Sequence, residues 1–128
     1  MTEVAAVILR DDAGRILICR RGPGGNCPYL WEFPGGKCEP GEDHAACAVR
    51  ECMEELGVQV ELGAVYGRTA YAYPDKELFF TFFEGKISSG TLTMHVHTGL
   101  CWVTPGELGD FSFCPADEPL IAQLKAEG

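Results

Sequence analysis

Glu51, Glu54 and Glu55 stand at i, i+3 and i+4 in the run RECMEELG, so on a helix they are neighbours on one surface. Like charges at that spacing repel by a few tenths of a kcal/mol per pair. A solvated acidic face is the ordinary explanation of such a run, and three features argue for more. No lysine stands four residues away to compensate. The glutamates lie toward the C-terminal half of the helix, where the macrodipole disfavours anions. A glycine-rich stretch, Gly35 and Gly36, and a further acid, Glu42, precede them. A divalent cation would remove the repulsion. Mg²⁺ takes hard oxygen ligands and keeps several waters that phosphate oxygens can replace. The chemistry suggested is metal-assisted handling of a polyanion.

The helix that must carry these acids begins at Asp43, a plausible N-cap, and stops at Gly57. At about 100° per residue, Ala45, Ala48, Val49, Cys52 and Leu56 share one apolar face, and Cys47, Glu51, Glu54 and Glu55 the opposite arc. Upstream, residues 4–10 (VAAVILR) and 15–21 (RILICRR) read as strands joined by the turn DDAG, a hairpin. LWEF is short and extended, and PGG breaks it. Extended runs follow Gly57, namely VQVELGAVYGRTAYAY, ELFFTFFEGKI and GLCWV. TPGELGDF reads as a short helix or turn, and ADEPLIAQLKAE as a last helix with Leu120, Ile121 and Leu124 at helical spacing. Mixed strands with two or three helices packed on them indicate an α/β fold.

A length of 128 residues suits one domain, residues 1–128, with a core that needs no disulfides. The seven cysteines are odd in number and form no C-x-x-C pair, which argues against a zinc site and for a reduced, cytoplasmic protein. The N-terminus has no basic leader and no apolar run is long enough to span a membrane, so no membrane partner is expected. A net charge of −9 disfavours nucleic acid as a partner.

The stretch from Gly35 to Val58 resembles the Nudix box, the signature of the Nudix hydrolases: Gly36, Glu42, Arg50-Glu51, Glu54-Glu55, Gly57 and Val58 occupy its defining positions. Cys52 stands where an aliphatic residue is usual. LWEFPGGK, AYPDK and PADEPLIAQLK resemble the MutT-like subfamily, so the likeness covers nearly the whole chain. It implies the Nudix α/β/α sandwich, a mixed β-sheet between helices. It also implies hydrolysis of nucleoside triphosphates to a monophosphate and pyrophosphate with Mg²⁺, for which Mn²⁺ could substitute. By position, the metal ligands would be Glu51, Glu54, Glu55 and the carbonyl of Gly35, with one of the glutamates as general base. Arg50, counted with the catalytic set, would pair with Glu42 and hold the geometry of loop and helix. Gly36, Glu42 and Gly57 would give structural support. Arg21 and Lys37 would contact phosphates, with Lys76 a further candidate.

Many MutT-like enzymes carry another glutamate six residues before the tryptophan matched by Trp102, and here that position is Val96. His95 and His97 flank it, either as ordinary edge-strand residues or with one of them as a ligand or base. Asp117 stands where MutT-like proteins read the base. It either caps the last helix or recognises the base, or does both. An ionised aspartate only accepts hydrogen bonds, which favours the amino group of cytosine or adenine. A protonated one would suit oxidised guanine. Tyr73, Phe79 or Trp31 could stack on the base. The resemblance thus implies a (d)NTP pyrophosphohydrolase for nucleotide-pool sanitation, acting on oxidised guanine (8-oxo-dGTP) or cytosine nucleotides, as monomer or homodimer. The alternatives are hydrolysis of another nucleoside diphosphate derivative, such as ADP-ribose, and a non-catalytic nucleotide sensor.

Overall fold

Strand β1 (Thr2–Leu9) sends alternate side chains into two different cores, and that alternation organises the molecule. Ala5, Val7 and Leu9 join Leu17 and Cys19 of β2 (Ile16–Arg20) beneath helix α1 (His44–Leu56). Ala6 and Ile8 join Ile16 and Ile18 beneath helix α2 (Glu118–Lys125), which contributes Leu120, Ile121 and Leu124. A strand buried on both faces reads as a continuous apolar run, as VAAVIL and ILIC do. The computed structural model describes residues 2–128 and bears out the expected α/β/α sandwich.

The strands form two sheets. The first is mixed, in the order β4-β1-β6-β5, with β4 at Gly35–Lys37, β5 at Val58–Tyr73 and β6 at Lys76–Gly90. Here β1 runs parallel to β6, while β1–β4 and β5–β6 are antiparallel. The second is antiparallel, β3-β2-β7, with β3 at Trp31–Glu32 and β7 at Gly99–Val103. Two short 3₁₀ segments, Pro105–Asp110 and Pro115–Asp117, lead into α2.

One expectation about the N-terminal half needs correction. The turn at Asp11 is present, held by the Asp11 carboxylate accepting from the N–H groups of Ala13 and Arg15, at 3.0 and 2.8 Å. The flanking strands do not form a hairpin, however, because they meet only at the bridge between Arg10 and Ile16 and then diverge into separate sheets. Each is buried along its length and pairs with better partners on both edges. PGG breaks the extended LWEF as expected, since β3 ends at Glu32 and the next strand lies in the other sheet, but its glycines are themselves strand. Gly35–Lys37 pairs antiparallel with β1, and a Cβ at Gly35 would run into the carbonyl oxygen of Ala5. The glycines there permit a backbone approach that no side chain allows. Gly57 ends α1 as expected, in the left-handed conformation at φ 70°, with its N–H on the Met53 carbonyl. Asp43 occupies the N-cap position without a side-chain capping bond.

Candidate active site

Arg50 is the centre of the acidic stretch. Its Nε and one terminal nitrogen donate to the two oxygens of Glu42, at 2.8 and 2.9 Å. The other terminal nitrogen donates to Glu51 at 2.9 Å and to Glu54 at 2.8 Å. A further bond of 3.1 Å reaches the carbonyl of Lys37 and ties the helix to β4. The acids are therefore not uncompensated: the arginine four residues before Glu54 does what no lysine does. The Arg50 guanidinium draws the Glu42 carboxyl down to about 2, and the acids in turn raise Arg50. Cys47 does not belong with the acids, since it is fully buried and its Sγ lies 3.5 Å from the Gly36 carbonyl. Glu51 rests on the backbone of Gly36, where a Cβ would collide with its carboxylate.

Glu55 behaves differently from its neighbours. It turns inward and accepts from the N–H of Gly35 at 3.3 Å. Burial, then the negative charges of Glu32 and Glu51, push its carboxyl up to about 9. Arg50 thus engages Glu51 and Glu54 on the outer side while Glu55 faces the interior. Among the described residues, no three imidazole, thiol or carboxylate groups already converge as a metal cage. The donor set still suits a hard divalent cation. Carboxylates are crowded around Gly35 and Gly36, and burial and the neighbouring acids raise one of them, Glu55.

Glu55 lines a cavity of about 300 Å³ together with Arg21, Glu32, Lys37, Lys76 and Asp117. Glu32 was not singled out from the sequence. A signal existed, however: Trp31 and Phe33 pack into the α2-side core, so the acid between them must face the other way. One Glu32 oxygen accepts from Arg21 at 3.1 Å and the other from His97 Nε2 at 2.9 Å. An adjoining cavity of about 390 Å³ shares Arg21, Glu32, Gly35 and Glu55 with the first and adds Val96 and His97. Neither histidine lies in an edge strand, because residues 91–98 form a loop. The His97 side chain is buried, whereas His95 is exposed and uses its backbone N–H on the Glu55 carbonyl, at 3.1 Å. Val96 is 59% exposed.

Asp117 is buried and lines the first of these cavities, the one of about 300 Å³. It occupies the N-cap position of α2 but makes no side-chain capping bond. Burial, then the charge of Glu32, hold its carboxyl well above the usual aspartate range. Of the two states left open by the sequence, this environment favours the protonated one, and a neutral carboxyl donates one bond and accepts another. Tyr73 and Phe80 line the same cavity, and the Tyr73 hydroxyl lies 3.3 Å from Cys27 Sγ. Trp31 instead packs on Phe111, and Phe79 faces a separate cavity beside His44. Lys37 and Lys76 meet at the cavity, and the neighbouring Lys76 ammonium holds the Lys37 amine below its ordinary value.

Comparison with known proteins places this geometry. The NUDIX domain model matches residues 1–124. The chain is 34% identical over 126 residues to a CTP pyrophosphohydrolase of Escherichia coli, covering 98% of this chain and 93% of that protein. It is 31% identical over 123 residues to an 8-oxo-dGTP diphosphatase of the same organism, covering 96% and 95%. The solution structure of the E. coli ORF135 protein superposes with a TM-score of 0.84 at 34% identity, covering 98% of this chain and 89% of that one. A MutT protein from Methanosarcina mazei shares the fold, with a TM-score of 0.87 at 21% identity over 98% of this chain and 94% of that one. Among the described residues, no helix is long and apolar enough to cross a membrane.

Proposed function

The chain belongs to the NUDIX family, and from that premise we propose that it hydrolyses nucleoside triphosphates to a monophosphate and pyrophosphate, using Mg²⁺. One observation carries this reading. A single cavity is lined by the inward carboxyl Glu55, the buried acid Asp117 and the cations Arg21, Lys37 and Lys76. Those are the groups a nucleotide needs, a carboxylate for the cleavage chemistry, cations for the phosphate chain and a polar reader for the base. Curated relatives named for CTP and for 8-oxo-dGTP support the same substrate class.

Glu51, Glu54, Glu55 and the Gly35 carbonyl would hold the cation. When bound, Mg²⁺ neutralises phosphate charge and makes a coordinated water more acidic. The protein's own part is to fix the acids: Arg50 holds Glu51 and Glu54 beside β4, and the Gly35 N–H orients Glu55. One of these glutamates takes the proton from the attacking water.

A neutral Asp117 can serve either leading base. Its hydroxyl donates to N3 of cytosine while its carbonyl accepts from the N4 amino group. On 8-oxoguanine the same pair meets O6 and the N7–H. Unoxidised guanine presents acceptors at both O6 and N7, so one bond is lost. Tyr73 and Phe80 supply aromatic surface beside it. The exposed Val96, where an acid would otherwise face the cavity, favours a second reading, a nucleotide sensor without turnover.

The deciding experiment measures pyrophosphate release with Mg²⁺ from 8-oxo-dGTP, dGTP, CTP, dCTP and ADP-ribose. Release from 8-oxo-dGTP or the cytosine nucleotides above the dGTP rate is expected. Tight binding with no release from any triphosphate would replace the hydrolase reading with the sensor.

A further inference from the structure

Among the described residues, just two buried side-chain polar atoms lack a hydrogen-bond partner, Arg21 Nε and His97 Nδ1. They sit at opposite ends of one three-residue relay, in which His97 Nε2 donates to Glu32 and Arg21 donates to the other Glu32 oxygen. A carboxylate only accepts, so the His97 proton in this bond is on Nε2. An orphaned buried donor or acceptor costs about 1–3 kcal/mol, and such groups in native proteins mark strain, chemistry or a ligand. Finding both in one relay, against the cavity that also holds Glu55, argues for the ligand.

We propose that Glu32 and His97 are positioning residues that hold Arg21 in the cavity as a contact for an oxyanion of the substrate's phosphate chain. The proposal rests on the nucleotide reading above for the identity of that anion. His97 comes from the loop at residues 91–98, which is pinned to the end of α1 by Thr93 N–H on the Leu56 carbonyl, at 2.9 Å, and His95 N–H on that of Glu55, at 3.1 Å. The loop thereby takes part in phosphate binding from outside the acidic helix. Arginine suits this role because its planar fork can serve Glu32 with one edge and leave N–H groups for a phosphate.

The test is a double-mutant cycle on the whole chain, read first by calorimetric titration with inorganic pyrophosphate and second by steady-state kinetics. His97→Leu is expected to weaken pyrophosphate binding about tenfold, the scale of one well-placed hydrogen bond. Arg21→Met is expected to weaken it at least as much, and the double variant no further than Arg21→Met alone. His97→Gln, whose amide can still donate to Glu32, should stay within about threefold of the parent. In turnover, KM for the triphosphate should rise with kcat nearly unchanged. Parent-like pyrophosphate binding by His97→Leu would overturn the proposal, and so would losses that multiply in the double variant. If His97→Leu does not fold, Glu32→Gln in the parent and in Arg21→Met gives the same cycle. If the parent binds pyrophosphate but turns over no triphosphate, the hydrolase reading fails while the cycle still decides the relay.

Discussion

Glu42 and Glu55 are both acids of one short acidic stretch, and the fold treats them in opposite ways. Glu42 meets the Arg50 guanidinium through two hydrogen bonds and is drawn down to about 2. Glu55 faces a cavity already occupied by Glu32 and is pushed up to about 9. The first is a charge used as a structural tie. The second is a group whose charge the bare protein does not support, and which a bound cation would release. Position along the stretch does not separate the two roles, whereas the presence of a guanidinium or of a second acid does.

The largest effect expected from this contrast is on catalysis. Glu55→Gln should lower kcat by about 10³-fold, within the usual range for loss of an acid–base group. It should leave the melting temperature unchanged or raised, because the amide imitates the neutral acid already present. A melting temperature several degrees below that of the parent would show that Glu55 is ionised in the fold. Arg50→Met should do the reverse. It leaves Glu42, Glu51 and Glu54 to repel one another and should lower the melting temperature by about 4–8 °C. Activity should fall by about 10²-fold through misplacement of the acids. Unchanged melting would reduce the Arg50 cluster to surface pairing.

Asp117 extends the comparison to the base. Discrimination between 8-oxo-dGTP and dGTP by a neutral carboxyl should fade by about tenfold as pH rises through its raised pKa. Asp117→Asn should keep the discrimination at high pH, since its amide donates at every pH. Parallel pH profiles of selectivity for the two proteins would remove Asp117 as the titrating reader.

The smallest effect is in stability against pH, where the two acids have opposite signs. Glu42 is depressed in the fold, so its contribution is present above about 4.5 and is lost as pH falls toward about 2. Glu55 is raised, so the folded state binds the extra proton between about 4.5 and 9, and stability falls as pH rises across that window. Mg²⁺ should oppose the second trend, binding more tightly as pH rises. Melts at several pH values, with and without Mg²⁺, check both slopes. A stability that rises between neutral pH and pH 9 in metal-free buffer would contradict the buried, neutral Glu55.

Much of this architecture was legible from local rules. Gly57 announced the end of α1, the apolar face of that helix was right at Ala48, Cys52 and Leu56, and the long strands after it followed their patterns. Failures came where partners distant in sequence decide. The turn at Asp11 looked like half of a hairpin, yet β1 and β2 each found better neighbours elsewhere. Cys47 fell on the acidic arc of an ideal wheel, and β4 covers it. The ionisation of Asp117 could not be read from its type, because burial and Glu32 set it. Glu32 escaped notice because its partners, Arg21 and His97, come from 11 residues before it and 65 after it.

The parallel pairing of β1 with β6, in register from Thr2 with Leu78 to Leu9 with Gly85, has a consequence for biosynthesis. At the usual pace of translation, β1 precedes its partner by roughly 4–15 s. During that interval the doubly apolar strand has no mate in the sheet order except the short β4. The nascent chain therefore carries an aggregation-prone segment until β6 is made. The acidic helix is synthesised within the same interval, and Asp117 later still, so the cavity closes only as the chain nears completion.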